Sequence, residues 1–155
     1  MHKGLTMRIS PLISISLFLS FNCYAQLEDK GLLCLPSDKP DNFLSSQGFM
    51  FHEDTIEQYR LRPIRDKVEK ESRTSNGTFE STVSSIAWSM WASLSDGTRF
   101  QEKWYLDRKT LALSKIGVEY QCEVYEDERA FNGALSLIVL RAQKQYDSAL
   151  EGNRI

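Results

Sequence analysis

The chain has 155 residues, 41% of them apolar and 26% charged, with 19 basic residues against 21 acidic ones. That length suits one domain with a real core. The charges are near balance and interspersed, which gives no argument for binding nucleic acid or an anionic membrane surface.

The first element is an apolar run, Leu12–Ala25, with the sequence LISISLFLSFNCYA. It is short for a membrane-spanning helix, which needs about 20 apolar residues, and Ser14, Ser16 and Ser20 interrupt it. It is long for a core strand. Lys3 and Arg8 precede it, no Asp or Glu occurs before Glu28, and Cys23 and Ala25 are small residues two apart. A positive front, an apolar middle and a small-residue cleavage site describe a secretory signal. Residues 1–25 are therefore expected to be cut away after Ala25, and Met7 is an alternative start. Lipidation at Cys23 is the competing reading, but Asn22 is larger than the residue such a signal places there.

Taking Lys3 and Arg8 away with that segment leaves 17 basic residues against 21 acidic, a net charge of −4 for residues 26–155. Cys34 and Cys122 remain, near opposite ends. In an oxidising compartment two cysteines most simply pair, and the long loop between them makes such a bond worth about 4 kcal/mol.

Gly31–Leu35 reads as a first strand stopped by Pro36, and Ser37–Gln47 as a loop. Phe49–His52 and Thr55–Leu61 are strands around a tight connection, with Phe49 and Phe51 on one side. Pro63 is expected to end or bend the second. Ile64–Arg73 is charged, as an edge strand or an exposed turn would be. Ser75-Asn76-Gly77-Thr78 is a turn signal and also an Asn-x-Thr sequon. Thr82–Ala92 reads as one strand, with Ile86, Trp88 and Met90 on one face and Ala87, Ser89 and Trp91 on the other. Asp96-Gly97 marks a hairpin turn, because glycine accepts positive φ. Arg99–Leu106 returns with Phe100, Trp104 and Leu106 on one face. Asp107-Arg108-Lys109 turns again, Leu111–Leu113 is short, and Val118–Tyr125 alternates, with Val118, Tyr120, Cys122 and Val124 pointing one way.

The period then changes. Phe131, Leu135, Ile138, Ala142, Tyr146 and Ala149 recur at three- and four-residue steps, which predicts an amphipathic helix over about 128–150. Gly133 is a place for it to begin or bend. The expected fold is all-β: seven or eight antiparallel strands in a barrel or sandwich, capped by the helix across an open end or along one sheet.

Chemistry is sparse. His52 is the one histidine after the expected cut. It lies beside a predicted turn without a Gly-x-Ser-x-Gly elbow, so a hydrolase built on it is only an alternative. Neighbouring carboxylates such as Glu53/Asp54 and Glu126/Asp127/Glu128 do not supply the separation a glycosidase needs. No calcium loop, zinc set or phosphate loop is present, and no cofactor is implied. Binding remains. If Trp88 faces inward, Trp91 and Tyr105 face outward and form a candidate surface for a small ligand or protein partner. Arg108, in Asp107-Arg108-Lys109, is a further candidate that could steer an anion, against the plainer reading of a turn held by Asp107. The competing expectation is that the helix covers that face.

Cys34, the strand Gly48–Phe51, the aromatic strand and turn Trp104–Leu111 (WYLDRKTL), the strand Tyr120–Glu123 (YQCE) and the helix Ala134–Leu150 form a pattern. On these residues the chain resembles a loose group of small exported β-rich proteins of bacteria and their phages. The resemblance covers most of residues 26–155. It implies an exported, periplasmic or extracellular protein and brings no activity with it. A looser similarity of architecture is to exported lysozyme inhibitors. The chain departs from them in lacking a Ser-Gly-x-x-Tyr loop and in having a long terminal helix. The resulting expectation is an exported, disulfide-stabilised binding or accessory protein without catalytic activity, with an inhibitor of a cell-wall enzyme as the alternative.

Overall fold

The computed structural model describes residues 27–75 and 79–152. The expected signal and the Asn76-Gly77-Thr78 turn lie outside them. Nine strands form one antiparallel sheet: β1 (Gly31–Pro36), β2 (Gln47–Phe51), β3 (Ile56–Ile64), β4 (Lys67–Ser75), β5 (Glu80–Ser81), β6 (Ser85–Ser93), β7 (Arg99–Asp107), β8 (Ala112–Lys115) and β9 (Val118–Tyr125). One helix, α1 (Glu128–Gly152), follows. The strand order is β4-β3-β2-β1-β9-β8-β7-β6-β5. Two sequential meanders are thus joined where the first strand meets the last. There Cys34 stands directly opposite Cys122 and is bonded to it, closing a sequence separation of 88.

The sheet curls into a half-barrel. Its concave side is packed by Leu32, Phe49, Phe51, Ile56, Ile86, Trp88, Met90, Trp104, Leu106, Leu113 and Tyr120. Phe49 meets Trp88 and Trp104 edge-on, each at 5.1 Å between centroids, the arrangement aromatic quadrupoles favour. No backbone ladder joins β4 to β6. Instead side chains bridge the gap: Ser75 Oγ donates to the Ser89 carbonyl at 3.0 Å, and Arg73 Nη1 to the Trp91 carbonyl at 3.0 Å.

α1 lies along the convex side of β1–β4, not across an open end. Phe131, Leu135, Ile138 and Ala142 bury against Leu33, Met50, Tyr59, Leu61 and Val68. Asp127 caps the helix, its Oδ1 accepting from the Ala130 N–H at 2.7 Å. Gly31 and Gly48, on adjacent strands, leave the hollow into which the Phe131 ring fits. At the far end Gln143 spans the β3–β4 turn: its Oε1 accepts from the Val68 N–H at 2.7 Å, and its Nε2 donates to the Asp66 carbonyl at 3.1 Å.

Several expectations need correction. The count is nine because the chain reverses inside the segment read as one strand from Thr82. The Thr82 hydroxyl accepts from the backbone N–H of Ser84 and Ser85, making a tight turn that creates β5. Pro63 does not end β3, which pairs with β4 as far as Ile64. β2 covers β3 only to Arg60, so Pro63 sits where the strand has one neighbour and a missing N–H is tolerated. Gly133 lies within the helix in open space and starts nothing. Ala149 is exposed, since the helix outruns the sheet there. Leu111 stands outside β8, in the left-handed region with φ 57°.

Candidate functional site

β1 is central, with β2 on one side and β9 on the other, so its run GLLCLP is almost wholly buried. α1 crosses the convex face beside it without covering the β1–β9 junction completely. The result is a groove of about 610 Å³, lined chiefly by Leu33, Leu35, Pro36, Leu137, Ile138 and Arg141. Leu137 is 57% exposed and Leu140 66% exposed. Arg141 lies over the Phe43 ring at 5.6 Å, which seats its guanidinium at the rim. On the β9 side the Tyr125 hydroxyl donates to Glu123 Oε2 at 2.7 Å. Burial, and then that carboxylate, push Tyr125 up to about 12. Such a groove can hold a hydrocarbon segment with a single anionic end.

The groove eluded the sequence reading, but a signal for it exists. Ala134–Leu140 reads ALSLIVL, apolar at every position but Ser136 for two turns, while the core buries Leu135 and Ile138 fully and Ala134 and Val139 in part. Leu137 and Leu140 have no place in the core, and Leu137 lines the groove.

The second polar concentration lies inside the half-barrel, toward the β6–β7 and β8–β9 turns and beside the Gln58–Arg73 pair of β3 and β4. Glu102 is 4% exposed and accepts from Arg73 Nη2 through one oxygen and from Lys115 Nζ, at 2.5 Å, through the other. Burial by itself would raise this carboxyl. The hydrogen bonds and charges of Lys115 and Arg73 outweigh it and hold the group below the usual carboxylate range. Arg73 Nε donates to Gln58 Oε1 at 2.6 Å, and Gln58 Nε2 to Gln47 Oε1 at 2.7 Å. Arg60, two residues beyond Gln58 on the same face, completes the group. Burial and the charge of Arg73 push its pKa down.

The sequence-predicted residues are placed as follows. Trp88 is buried and Trp91 is 55% exposed, so the inward–outward assignment of β6 holds. Tyr105 is 50% exposed on the same outer face, which α1 leaves uncovered because it packs on β1–β4. They do not form one platform. Trp91 is opposite Gln101 and Tyr105 opposite Ala87, with the pair Ser89–Lys103 between. The separation is four residues, roughly 13 Å. Arg99 lies over the Trp91 ring at 5.1 Å. Arg108 is remote from Trp91 and ties two turns together, Nη2 donating to Ser81 Oγ and its backbone N–H to the Ser84 carbonyl at 2.9 Å. Asp107 Oδ1 accepts from the N–H of Lys109 and Thr110, which holds the turn and keeps the carboxyl low.

His52 is half-buried beside the β2–β3 turn, where its backbone N–H donates to the Thr55 carbonyl at 2.9 Å. Among the described residues its ring has no hydrogen-bonded Ser, Asp or Glu, so the hydrolase reading gains no geometric support. Among the described residues no group of three His, Cys, Asp or Glu side chains could hold a metal ion, and no helix is long and apolar enough to cross a membrane. The longest described connection, residues 37–46, is joined to α1 by the Phe43 N–H donating to Gln145 Oε1 at 3.2 Å. In comparisons with known proteins, no family model matches the chain, and no curated protein and no solved structure is significantly similar to it.

Proposed function

We propose that this is an exported, disulfide-stabilised binding protein without catalytic activity, which carries an acyl chain in the groove between α1 and the β1–β9 junction. The observation that carries the reading is the groove itself: a largely apolar trough with Leu137, left out of the core, on the helix wall, one cation, Arg141, at its rim, and Glu123, tied to the Tyr125 hydroxyl, on the β9 side. A peptide strand is a poor occupant. The floor is made of β1 and β9, which are paired to each other and to further strands on both sides, so no backbone edge is free to extend the sheet. A ligand that needs no backbone partners, a hydrocarbon, suits that floor, and a carboxylate end suits Arg141. Export rests on the sequence of residues 1–25 and accords with the Cys34–Cys122 bond.

The test is calorimetric titration with dodecanoate, below its micelle concentration, at two temperatures. Saturable binding with a negative heat-capacity change is expected. Leu137→Arg is expected to weaken it at least about tenfold, since one buried leucine is worth roughly 1.5–3 kcal/mol. Absence of saturable binding, or unchanged affinity in Leu137→Arg, overturns the proposal.

A further inference from the structure

The interior of a half-barrel is an unusual place for three cations around one carboxylate. Glu102 uses one oxygen on Arg73 and the other on Lys115, and is thereby spent. Arg60 remains. It lies on the same concave face as Gln58 and Arg73, near enough for the charges of Arg73 and Glu102 to act on it. Its guanidinium makes no hydrogen bond or ion pair among the described residues. The carboxylate opposite it across the β3–β4 ladder, Glu71, is exposed and turned to Arg62 at 3.8 Å. A half-buried cation with five unused donors is costly to keep, the more so beside a second cation.

The concave core beside this group has the same bias toward donors. The indole N–H groups of Trp88 and Trp104 are buried in the same concave core, and neither has an acceptor. Lys115, whose ammonium lies 5.0 Å above the Trp104 ring, keeps donors beyond the one given to Glu102. Donors and positive charge in excess, at the open end of a curled sheet, describe a receptor for a group that has only acceptors and carries negative charge.

We propose that the Arg60, Arg73 and Lys115 end of the half-barrel binds a phosphate, as the free ion or as the terminal group of a larger molecule. Arg60 supplies the paired donors that match two phosphate oxygens, and Arg73, held by Gln58, Glu102 and the Trp91 carbonyl, and Lys115, held by the other oxygen of Glu102, supply fixed positive charge. Glu102 orients the two cations it touches and prevents the site from being a bare repulsive cluster. The site is on the opposite side of the sheet from the acyl groove, so it stands or falls independently of that reading.

The experiment is a titration of the full mature chain with inorganic phosphate at constant ionic strength, chloride replacing phosphate, followed by tryptophan fluorescence and by the phosphorus NMR linewidth. Trp104 is a reporter because any shift of Lys115 changes the charge over its ring. Saturable binding is expected, and Arg60→Gln is expected to weaken it about tenfold. That variant removes no side-chain hydrogen bond found among the described residues, so loss of binding there is not loss of fold. Lys109→Gln, at the turn on the far end of the barrel, is expected to bind as the parent does. Glycerol phosphate provides the second arm: affinity well above that of inorganic phosphate identifies a phosphomonoester ligand, and equal affinity identifies the free ion. No saturable response to either compound, or equal affinity in Arg60→Gln, overturns the inference.

Discussion

Gly31→Ala tests how the helix is seated. A Cβ built at residue 31 would stand 2.4 Å from Phe131 Cδ2, 2.5 Å from Cγ and 2.6 Å from Cβ. Turning the ring could relieve the first contact. It cannot relieve the last, because Phe131 Cβ is fixed to the helix backbone. The helix must therefore lift from the sheet by something approaching an ångström, loosening Phe131, which is fully buried, and its neighbours Leu135 and Ile138. Overpacking of this kind costs about 1–3 kcal/mol, and the backbone-borne contact places this case at the upper end. For a domain of this size the melting temperature is expected to fall by roughly 10 °C. Urea denaturation followed by far-ultraviolet circular dichroism gives the free energy directly. The diagnostic is a double-mutant cycle. Phe131→Ala alone is expected to cost about 3–5 kcal/mol; it keeps the Cβ, so in its background Gly31→Ala is expected still to cost about 1 kcal/mol or more. In a Phe131→Gly background, where the Cβ is gone too, it is expected to cost less than about 0.5 kcal/mol. Gly133→Ala provides the contrast: it lies in the same helix with open space around it, and is expected to stabilise by up to about 1 kcal/mol. A neutral Gly31→Ala, or a cost that persists in the Phe131→Gly background, refutes the seating described.

The remaining predictions concern the covalent tie and the buried carboxylate. Replacing Cys34 and Cys122 together by alanine is expected to lower stability by about 4–5 kcal/mol on the chain-entropy model for a separation of 88; denaturation of the parent with and without reductant checks it, and a change below about 1 kcal/mol counts against the bond. Glu102 is held below its unfolded value by Lys115 and Arg73 against the pull of burial, so its contribution is present above the ordinary carboxylate range and disappears as pH falls through the depressed folded value. Glu102→Gln is therefore expected to be less stable than the parent at pH 7, with the gap narrowing below about pH 4; a gap independent of pH would argue that Glu102 is not ionised in the native protein.

What the residues disclosed depended on how local the governing interaction is. Alternation in β6 and β9 and the three-to-four spacing of α1 are read off neighbours, and they held, Ala149 apart. The Asp96-Gly97 turn was legible because Gly97 takes φ 86°, a value glycine adopts at no cost. The β3–β4 turn was not, because Arg65 takes φ 59° there without any glycine to announce it, stabilised from a distance by the Tyr146 hydroxyl on its carbonyl. The disulfide followed from counting. The interior network was missed although its marks are plain: Glu102 shares the parity of Phe100, Trp104 and Leu106, and Gln58 and Arg60 share that of Ile56. A charged residue at a core position points to a partner, but which partner depends on how far the sheet curls, and that is a property of nine strands together. The groove depended likewise on where the helix lay down. Only the two outward aromatics, Trp91 and Tyr105, could be placed from one strand pair alone.

The junction of β1 with β9 has a consequence for how each copy of the molecule is made. Synthesis delivers β1 early, and β2 can satisfy one of its edges almost at once; the other edge waits until Cys122 arrives, 88 residues after Cys34. During that interval the nascent chain presents its most hydrophobic strand with an open row of hydrogen-bonding groups and an idle thiol, a template on which a neighbouring copy could zip up. Maturation of this protein is thus a contest between its own tail and other molecules, and the oxidation that follows makes the outcome permanent.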